Sequence, residues 1–418
     1  MNEIEDLDLT PDVIPVSDTG SKEPQEPKGS PKRKKKNWKR RLTAVGVAFG
    51  LLVCMYLTVA YSSIPFIEKW RTIYIETAMT TNSHKWLATM FFPKSVVDAV
   101  VEKQRLELEQ QKGLESKWDE IDSQNAQNDA QSEKEREFFE TYWELDTPAF
   151  KDYLDKNPSL TAGGYDHVLV EDFEKNLGLV TKQGDPLLVL DTENDLMIVG
   201  VSGEGYQGKL AIVKDPARVA MAKSKSLGSF GQQASGFGED NDAVLVVNAS
   251  GFADAGGHGS GGLVKGTLII DGVEYGNRNI QPYWKFCGMK QDLKMYISNY
   301  PENVQEYRWS VEFFPALIVN GESVVDGTFG MGIQPRATIG QTRRGDMLFL
   351  IVDGRQVGYS LGCTVAECTN VMLRYDAYQG MNVDGGSSAV MWYKGEYITK
   401  SSSKSGLGRY MPNAFIVK

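Results

Sequence analysis

The distribution of apolar and polar positions changes character three times along the chain. From Leu42 to Tyr61 the run "LTAVGVAFGLLVCMYLTVAY" carries no charged residue. Twenty helical residues extend about 30 Å, the thickness of a bilayer's hydrocarbon core, so this run predicts a single transmembrane helix. The stretch from Lys94 to Leu145, which contains "EKQRLELEQQKGLESKWDEIDSQNAQNDAQSEKERE", is polar nearly throughout and reads as helix. Leu114, Trp118 and Ile121 follow the i, i+4, i+7 spacing. That stripe is not sustained over several heptads, so the pattern predicts a stalk or a helix packed on the domain rather than a long coiled coil.

From about Gly163 onward the pattern becomes short apolar runs divided by turn residues. Candidate strands are "PLLVLD", "LMIVGVS", "KLAIVK", "AVLVVNAS", "GTLIIDG", "VEFFPALIVNGE", "RATIGQT", "MLFLIVDGRQVGYS", "AVMWYKGEYI" and "AFIVK". Asp271-Gly272, Asn320-Gly321 and Asp353-Gly354 are dipeptides that accept the positive φ angles of tight hairpins. One helix is well signalled inside this region. Thr364 and Glu367 have the spacing of a capping box, Val365, Cys368, Met372 and Tyr375 make one apolar face, and Gly380 is placed to cap the C-terminus. The predicted fold class is α+β, a mostly β-sheet extracytoplasmic domain with a few helices, preceded by one transmembrane helix and a helical stalk.

Charge fixes the expected topology. Residues 1–30 hold eight acidic residues and two lysines, with Pro11, Pro15, Pro24 and Pro27, a composition too polar to form a core. "PKRKKKNWKRR" (31–41) then places eight Lys and Arg in eleven positions directly before the apolar run, whereas charges after Tyr61 are sparse and mixed. The positive-inside rule puts the N-terminus in the cytoplasm and the rest outside, on the cell membrane as a single-pass protein. A cleaved signal peptide with Thr58-Val59-Ala60 as its cleavage site is the competing reading, and the length of the apolar run favours the anchor. The resulting order is a cytoplasmic tail with its basic flank (1–41), the anchor (42–62), a helical juxtamembrane and stalk region (63–160), and a β-rich domain (161–418). A stalk of this kind is also a place for self-association.

Composition narrows the function. The chain of 418 residues is 41% hydrophobic and has a net charge of −10, enough for a large core and the wrong sign for a nucleic-acid partner. Cys287, Cys363 and Cys368 lie beyond the span, so the domain is no disulfide scaffold, although Cys363 and Cys368 sit across the start of the capped helix. There is no C-x-x-C and no H-E-x-x-H, and the chain has three histidines, His84, His167 and His258. No metal site is expected.

The residues suited to chemistry cluster in the β region. "VVNASGFADAGGHGSGGLVKG" (246–266) ends a strand at Asn248 and continues as a glycine-rich loop with His258; "GIQPRATIG" holds Arg336, "VDGR" holds Arg355, and "GLGRYMPNAFIV" holds Arg409 and Asn413. Guanidinium groups are planar, permanently charged forks suited to phosphate, and glycines let backbone amides approach an anion. "MNVDGGSSAV" interrupts an apolar strand with Asn382, Asp384, Gly385, Gly386, Ser387 and Ser388.

Taken in order, Asn248-x-x-Gly-Phe252, Pro335-Arg336-x-x-Ile-Gly340, Val352-Asp-Gly-Arg355, Asn382-x-Asp-Gly-Gly386 and Gly408-Arg409-x-x-x-Asn413 resemble the phosphodiester glycosidase family over roughly Leu210 to Lys418. The family's block is usually D-G-G-G-S-S. Here Ser387 stands at the third glycine, the first family serine falls on Ser388, and the second falls on Ala389. The resemblance implies removal of a sugar, typically N-acetylglucosamine, from a sugar-1-phosphodiester, without a cofactor, in relatives often tied to exopolysaccharide and the cell envelope. It implies a phosphorylated glycan as substrate, with Asp384, Arg336 and Asn248 as catalytic residues. Gly385, Gly386, Ser387, Ser388, Asn382, Arg355, Arg409 and His258 would bind substrate.

In that reading Asp384 meets the anomeric centre or a sugar hydroxyl as nucleophile, base or ligand holder, Gly385, Gly386 and Ser387 expose backbone amides, and Arg336 clamps the phosphate. Proximity to arginine is expected to keep Asp384 ionised. Asp254 and Asp353 are candidates by position for a second carboxylate. The alternative, motivated by Ser387, is a non-catalytic glycan-binding or assembly protein on the same fold.

Overall fold

The computed structural model describes residues 38–118, 133–277, 283–301 and 303–418. The acidic tail, most of the basic flank and Ile121 lie outside them. By compactness the chain divides into Met1–Met55 and Tyr56–Lys418.

Helix α1 (Trp38–Tyr61) contains the stretch Arg40–Tyr61, long and apolar enough to cross a membrane. Nearly all its large apolar side chains are exposed. After it come α2 (Pro65–Met79), α3 (Trp86–Phe91) and α4 (Lys94–Gln110). Pro65 starts α2 at a position where its missing N–H costs nothing. Ile75, Ala78, Ala88 and Val97 form a small core of their own.

Beyond α4 the helix expected through Leu114 and Trp118 is not formed: a short 3-10 turn, Gln111–Gly113, leads into irregular chain that lies on the β-rich body. Gln111 is buried and its side-chain amide donates to the Ala316 and Val324 carbonyls while accepting from the Ala316 amide. The Ser116 hydroxyl donates to Gln379, and the Trp118 indole donates to the Met295 carbonyl. Two further helices, α5 (Glu133–Thr141) and α6 (Thr147–Lys156), bury Phe138, Phe139, Phe150 and Leu154 against the main sheet.

Among the described residues the strands form three antiparallel sheets. The largest runs Leu169–Glu171, Leu187–Asp191, Leu196–Gly203, Tyr206–Val213, Met347–Val352, Arg336–Thr342, Ala377–Asn382, Ala316–Val319, Glu322–Ser323. A second sheet holds Met295–Ser298, Lys285–Lys290, Tyr307–Phe313, Gly266–Ile270 and Val273–Asn277. The third orders Glu396–Tyr397, Met391–Tyr393, Leu245–Asn248, Asn413–Val417 and Val219–Lys223.

All three sheets contribute to one core, which joins Ile339 and Phe349 to Trp309 and to Val247 and Phe415. The other face of the large sheet is covered by α5, α6 and, after α7 (Ala234–Asn241), by α8 (Val365–Arg374). The architecture is α+β, as the pattern predicts.

Two of the three hairpin dipeptides behave as their chemistry demands: Asp271 and Gly272 take φ of 48° and 75°, Asn320 and Gly321 57° and 82°. Both bonds of the capping box at Thr364 and Glu367 are formed. Three further expectations fail. Helix α8 ends at Arg374, with Asp376 at φ 60° supplying the left-handed residue, and Gly380 lies inside a strand. "VEFFPALIVNGE" is two strands in two sheets, divided where Pro315 cannot donate to a ladder. Asp353-Gly354 is no hairpin, since Asp353 is buried and accepts from the Tyr359 hydroxyl and the Lys400 amide. Cys363 and Cys368 are buried free thiols with their sulfurs 3.2 Å apart.

Candidate active site

The candidate site forms where strand ends from the three sheets converge. Strand Ala377–Asn382 leaves the large sheet and the next residue but one is Asp384, whose amide donates to the Ala249 carbonyl at the end of strand Leu245–Asn248. Strand Tyr307–Phe313 brings Phe313 from the second sheet against Gly251.

Asn248 braces the interruption. Its side-chain amide donates to the Asp384 carbonyl, and its Oδ1 accepts from the Val390 amide at 3.0 Å. Both ends of the loop 384–390 are therefore tied to one buried side chain, which makes Asn248 a positioning residue.

Gly385 and Gly386 are required by space and by conformation. A Cβ at Gly385 would stand 2.7 Å from the Pro335 carbonyl oxygen, and Gly386 has φ of +62°. Of the three amides expected to face substrate, that of Gly386 instead donates to the Pro335 carbonyl and is spent within the fold, and the neighbouring Ser388 amide donates to Gly385. The carbonyl of Ser387 accepts from the Ser401 hydroxyl. Ser388 is buried and its side chain hydrogen-bonds Asp384.

Asp384 itself is densely enclosed, although part of the residue's surface stays open to solvent. Burial pushes its carboxyl up to about 7, against the pull of the Ser388 hydroxyl and of Arg409 and Lys265; Asp254 adds to the rise. The expectation of a firmly ionised carboxylate is overturned. The cations that were to hold it ionised are outweighed by loss of water.

The second carboxylate brought to Asp384 is Asp254, from the glycine-rich loop. Arg409 grips it with Nη1 to Oδ2 at 3.0 Å and Nη2 to Oδ1 at 2.8 Å. The Gly259 amide and the Asn82 side chain also donate to it. Burial alone would raise Asp254, but these donors prevail and hold it below the usual carboxylate range. Arg409 lies over the Phe252 ring at 5.1 Å. Two neighbouring carboxyls whose environments drive them in opposite directions are a common arrangement for acid–base chemistry.

The arginines divide. Arg355 keeps an exposed surface; its Nε and Nη2 donate to Gln334 Oε1, and its guanidinium lies over Gly386 within the field of Asp384. Arg336, expected as the phosphate clamp, is fully enclosed. Its Nε donates to the Cys363 carbonyl and its Nη2 to the Met331 and Gly332 carbonyls. Neutral partners satisfy it, and burial lowers its proton affinity. Asn382 is likewise turned inward, donating to the Phe314 carbonyl at 2.8 Å. His258 is exposed on the glycine-rich loop.

Lys265, Phe313 and Asn82 at this site were not anticipated. Lys265 sits within "GGLVKG", where the glycines dominate the local pattern, and Asn82 comes from the α2–α3 connection, outside the motifs altogether.

Comparison with curated proteins finds no match. Among solved structures, the zebrafish N-acetylglucosamine-1-phosphodiester alpha-N-acetylglucosaminidase catalytic domain, auto-inhibited by pro-peptide, is similar at 15% identity and TM-score 0.42. That likeness covers 53% of this chain and 81% of the other. A hypothetical protein from Synechocystis matches at 13% identity and TM-score 0.40, over 56% of this chain and 64% of that one. An exported protein from Burkholderia pseudomallei matches at 13% and 0.38, over 51% and 74%. At the level of sequence profiles, residues 241–418, which hold every loop of the site except the Asn82 contact, match the phosphodiester glycosidase family.

Proposed function

We propose that the chain is a membrane-anchored glycosidase that hydrolyses sugar-1-phosphodiesters, of the N-acetylglucosamine-1-phosphate type, in glycans outside the cytoplasm. The observation that carries this reading is Asp384, a carboxyl poised near neutrality beside an ionised Asp254 and a cationic margin of Arg409, Arg355 and Lys265. A phosphate ester is already a good leaving group and needs little protonation, so the useful task for Asp384 is that of general base. A water molecule loses its proton to the Asp384 carboxylate and its oxygen bonds to the anomeric carbon. The bond from that carbon to the phosphate-ester oxygen breaks, and its electron pair leaves with the phosphate. The cationic margin stabilises the charge that develops there. The apolar, exposed α1 and the basic residues before it support anchoring with the domain outside.

The test is release of free N-acetylglucosamine from a model sugar-1-phosphodiester by the full chain in detergent micelles. Binding of the diester without release would favour the non-catalytic glycan-binding reading. Protease added to intact cells should remove the folded region and spare the N-terminal tail.

A further inference from the structure

Beside Asp384 lies a cluster of aromatic rings that no step above uses. Phe313 and Phe314 stack with centroids 5.1 Å apart and planes 19° from parallel. Trp284 lies against both, 5.3 Å from each, and Tyr283 meets Phe314 edge-on at 5.6 Å. All four rings are only partly buried, unlike Trp309 and Phe286 of the same sheet, which are enclosed.

Three contacts fix this cluster to the site. A methyl group built at Gly251 would stand 2.8 Å from the Phe313 ring and 3.9 Å from the Asp384 carboxylate, so ring and carboxyl face the same bare backbone. Asn382, two residues before Asp384, donates from its side chain to the Phe314 carbonyl, and its own amide donates to the Pro315 carbonyl at 3.1 Å. The strand that carries the carboxyl therefore also sets the position of the rings. Asn382 Oδ1 is buried without a hydrogen-bond partner, a cost accepted to keep the side chain in that role.

We infer that Trp284, Phe313 and Phe314 form an apolar subsite for the pyranose ring that carries the anomeric carbon. A pyranose has a polar rim of hydroxyls and an apolar face of C–H groups, and an aromatic face, with its negative quadrupole, suits the latter. Ligand sites commonly pair such an apolar wall with a few polar groups. Here the wall adjoins the carboxyl that acts at the anomeric carbon, so stacking would orient the sugar with that carbon toward Asp384. Asn382 is then a positioning residue for the wall and makes no contact with the reacting atoms. The inference rests on the glycosidase reading for its choice of ligand.

The experiment uses the full chain in detergent, with methyl N-acetylglucosaminide as the probe and tryptophan emission as the readout. The pyranoside should change the emission of the wild-type chain, and the change should vanish in Trp284→Phe while calorimetry still detects binding. Trp284→Ala should raise KM for the sugar-1-phosphodiester at least about tenfold, with a smaller change in kcat, and Trp284→Phe should restore most of it. An emission change that persists in Trp284→Phe, or a KM untouched in Trp284→Ala, overturns the subsite and leaves the hydrolase reading standing. Pyranoside binding through Trp284 in a chain that hydrolyses no sugar phosphodiester would retain the subsite and remove the hydrolase. A wild-type chain that neither binds pyranoside nor turns over removes both.

Discussion

Arg409 and Asp254 are joined by two parallel hydrogen bonds, 3.0 and 2.8 Å long, that reach from the C-terminal "GRYMPN" loop to the glycine-rich loop after Asn248. A lysine keeps the charge and loses the fork. Arg409→Lys should lower kcat/KM for a sugar-1-phosphodiester by about 10- to 100-fold. It should also free Asp254 to titrate nearer its ordinary range. Because the folded-state value of Asp254 is depressed, its contribution to stability is present above the ordinary aspartate range and lost as pH falls through the folded value. The difference in thermal midpoint between wild type and variant should therefore be largest near neutrality and shrink in acid. A difference that grows in acid would show that the pair does not depress Asp254.

Asn248→Ala removes the brace on the loop 384–390 and leaves the Val390 amide and the Asp384 carbonyl without their partner. Two polar groups orphaned at a buried position cost about 2 to 4 kcal/mol, measurable by urea unfolding. The surviving folded protein should lose kcat more than substrate affinity, since the carboxyl is displaced and the cationic margin is not. Unchanged kcat would place Asn248 outside the site's support.

Much of this arrangement is written in local chemistry, and the rest is not. The box at Thr364 and Glu367, the Asp-Gly and Asn-Gly turns, and a carboxylate just past a buried strand all follow from neighbouring residues. The end of α8 does not, because an aspartate can take the left-handed position that a glycine further on was expected to fill. Pro315 marks the change of sheet inside "VEFFPALIVNGE", since a residue without an N–H cannot continue either ladder. The state of Asp384 is a balance between burial and cations and is fixed only once the three sheets meet. Asn82 reaches Asp254 from 172 positions away, and nothing near it in sequence announces the contact.

Arg336 shows how a motif residue can be assigned the wrong task. On "RATIGQT" every position is buried, so a charge there has to find its partners in the backbone, and it does, in the carbonyls of Cys363, Met331 and Gly332. Arg336→Lys cannot satisfy all three. We expect a loss of about 2 to 4 kcal/mol in unfolding free energy, with little change in diester affinity for the folded fraction. Lost affinity at unaltered stability would return Arg336 to the phosphate.

Asp384→Asn is the sharpest prediction, because it separates chemistry from stability through pH. The wild-type carboxyl is held up to about 7, whereas an aspartate in an unfolded chain titrates near 4. As pH rises the unfolded chain releases this proton first, so the wild-type fold loses stability between those values and the loss is complete above about 7. The asparagine never ionises and escapes that loss. The variant's thermal midpoint should therefore equal or exceed that of wild type at pH 8, with any gain disappearing toward pH 4. Activity should move the other way. A general base works when deprotonated, so wild-type kcat/KM should climb with pH through about 7, and Asp384→Asn should lower it at least about a hundredfold above that value, the gap narrowing in acid as the wild-type carboxyl itself becomes protonated. A wild-type rate that instead falls above that value would make Asp384 a proton donor. A stable variant that keeps its activity would reduce the residue to an element of the turn.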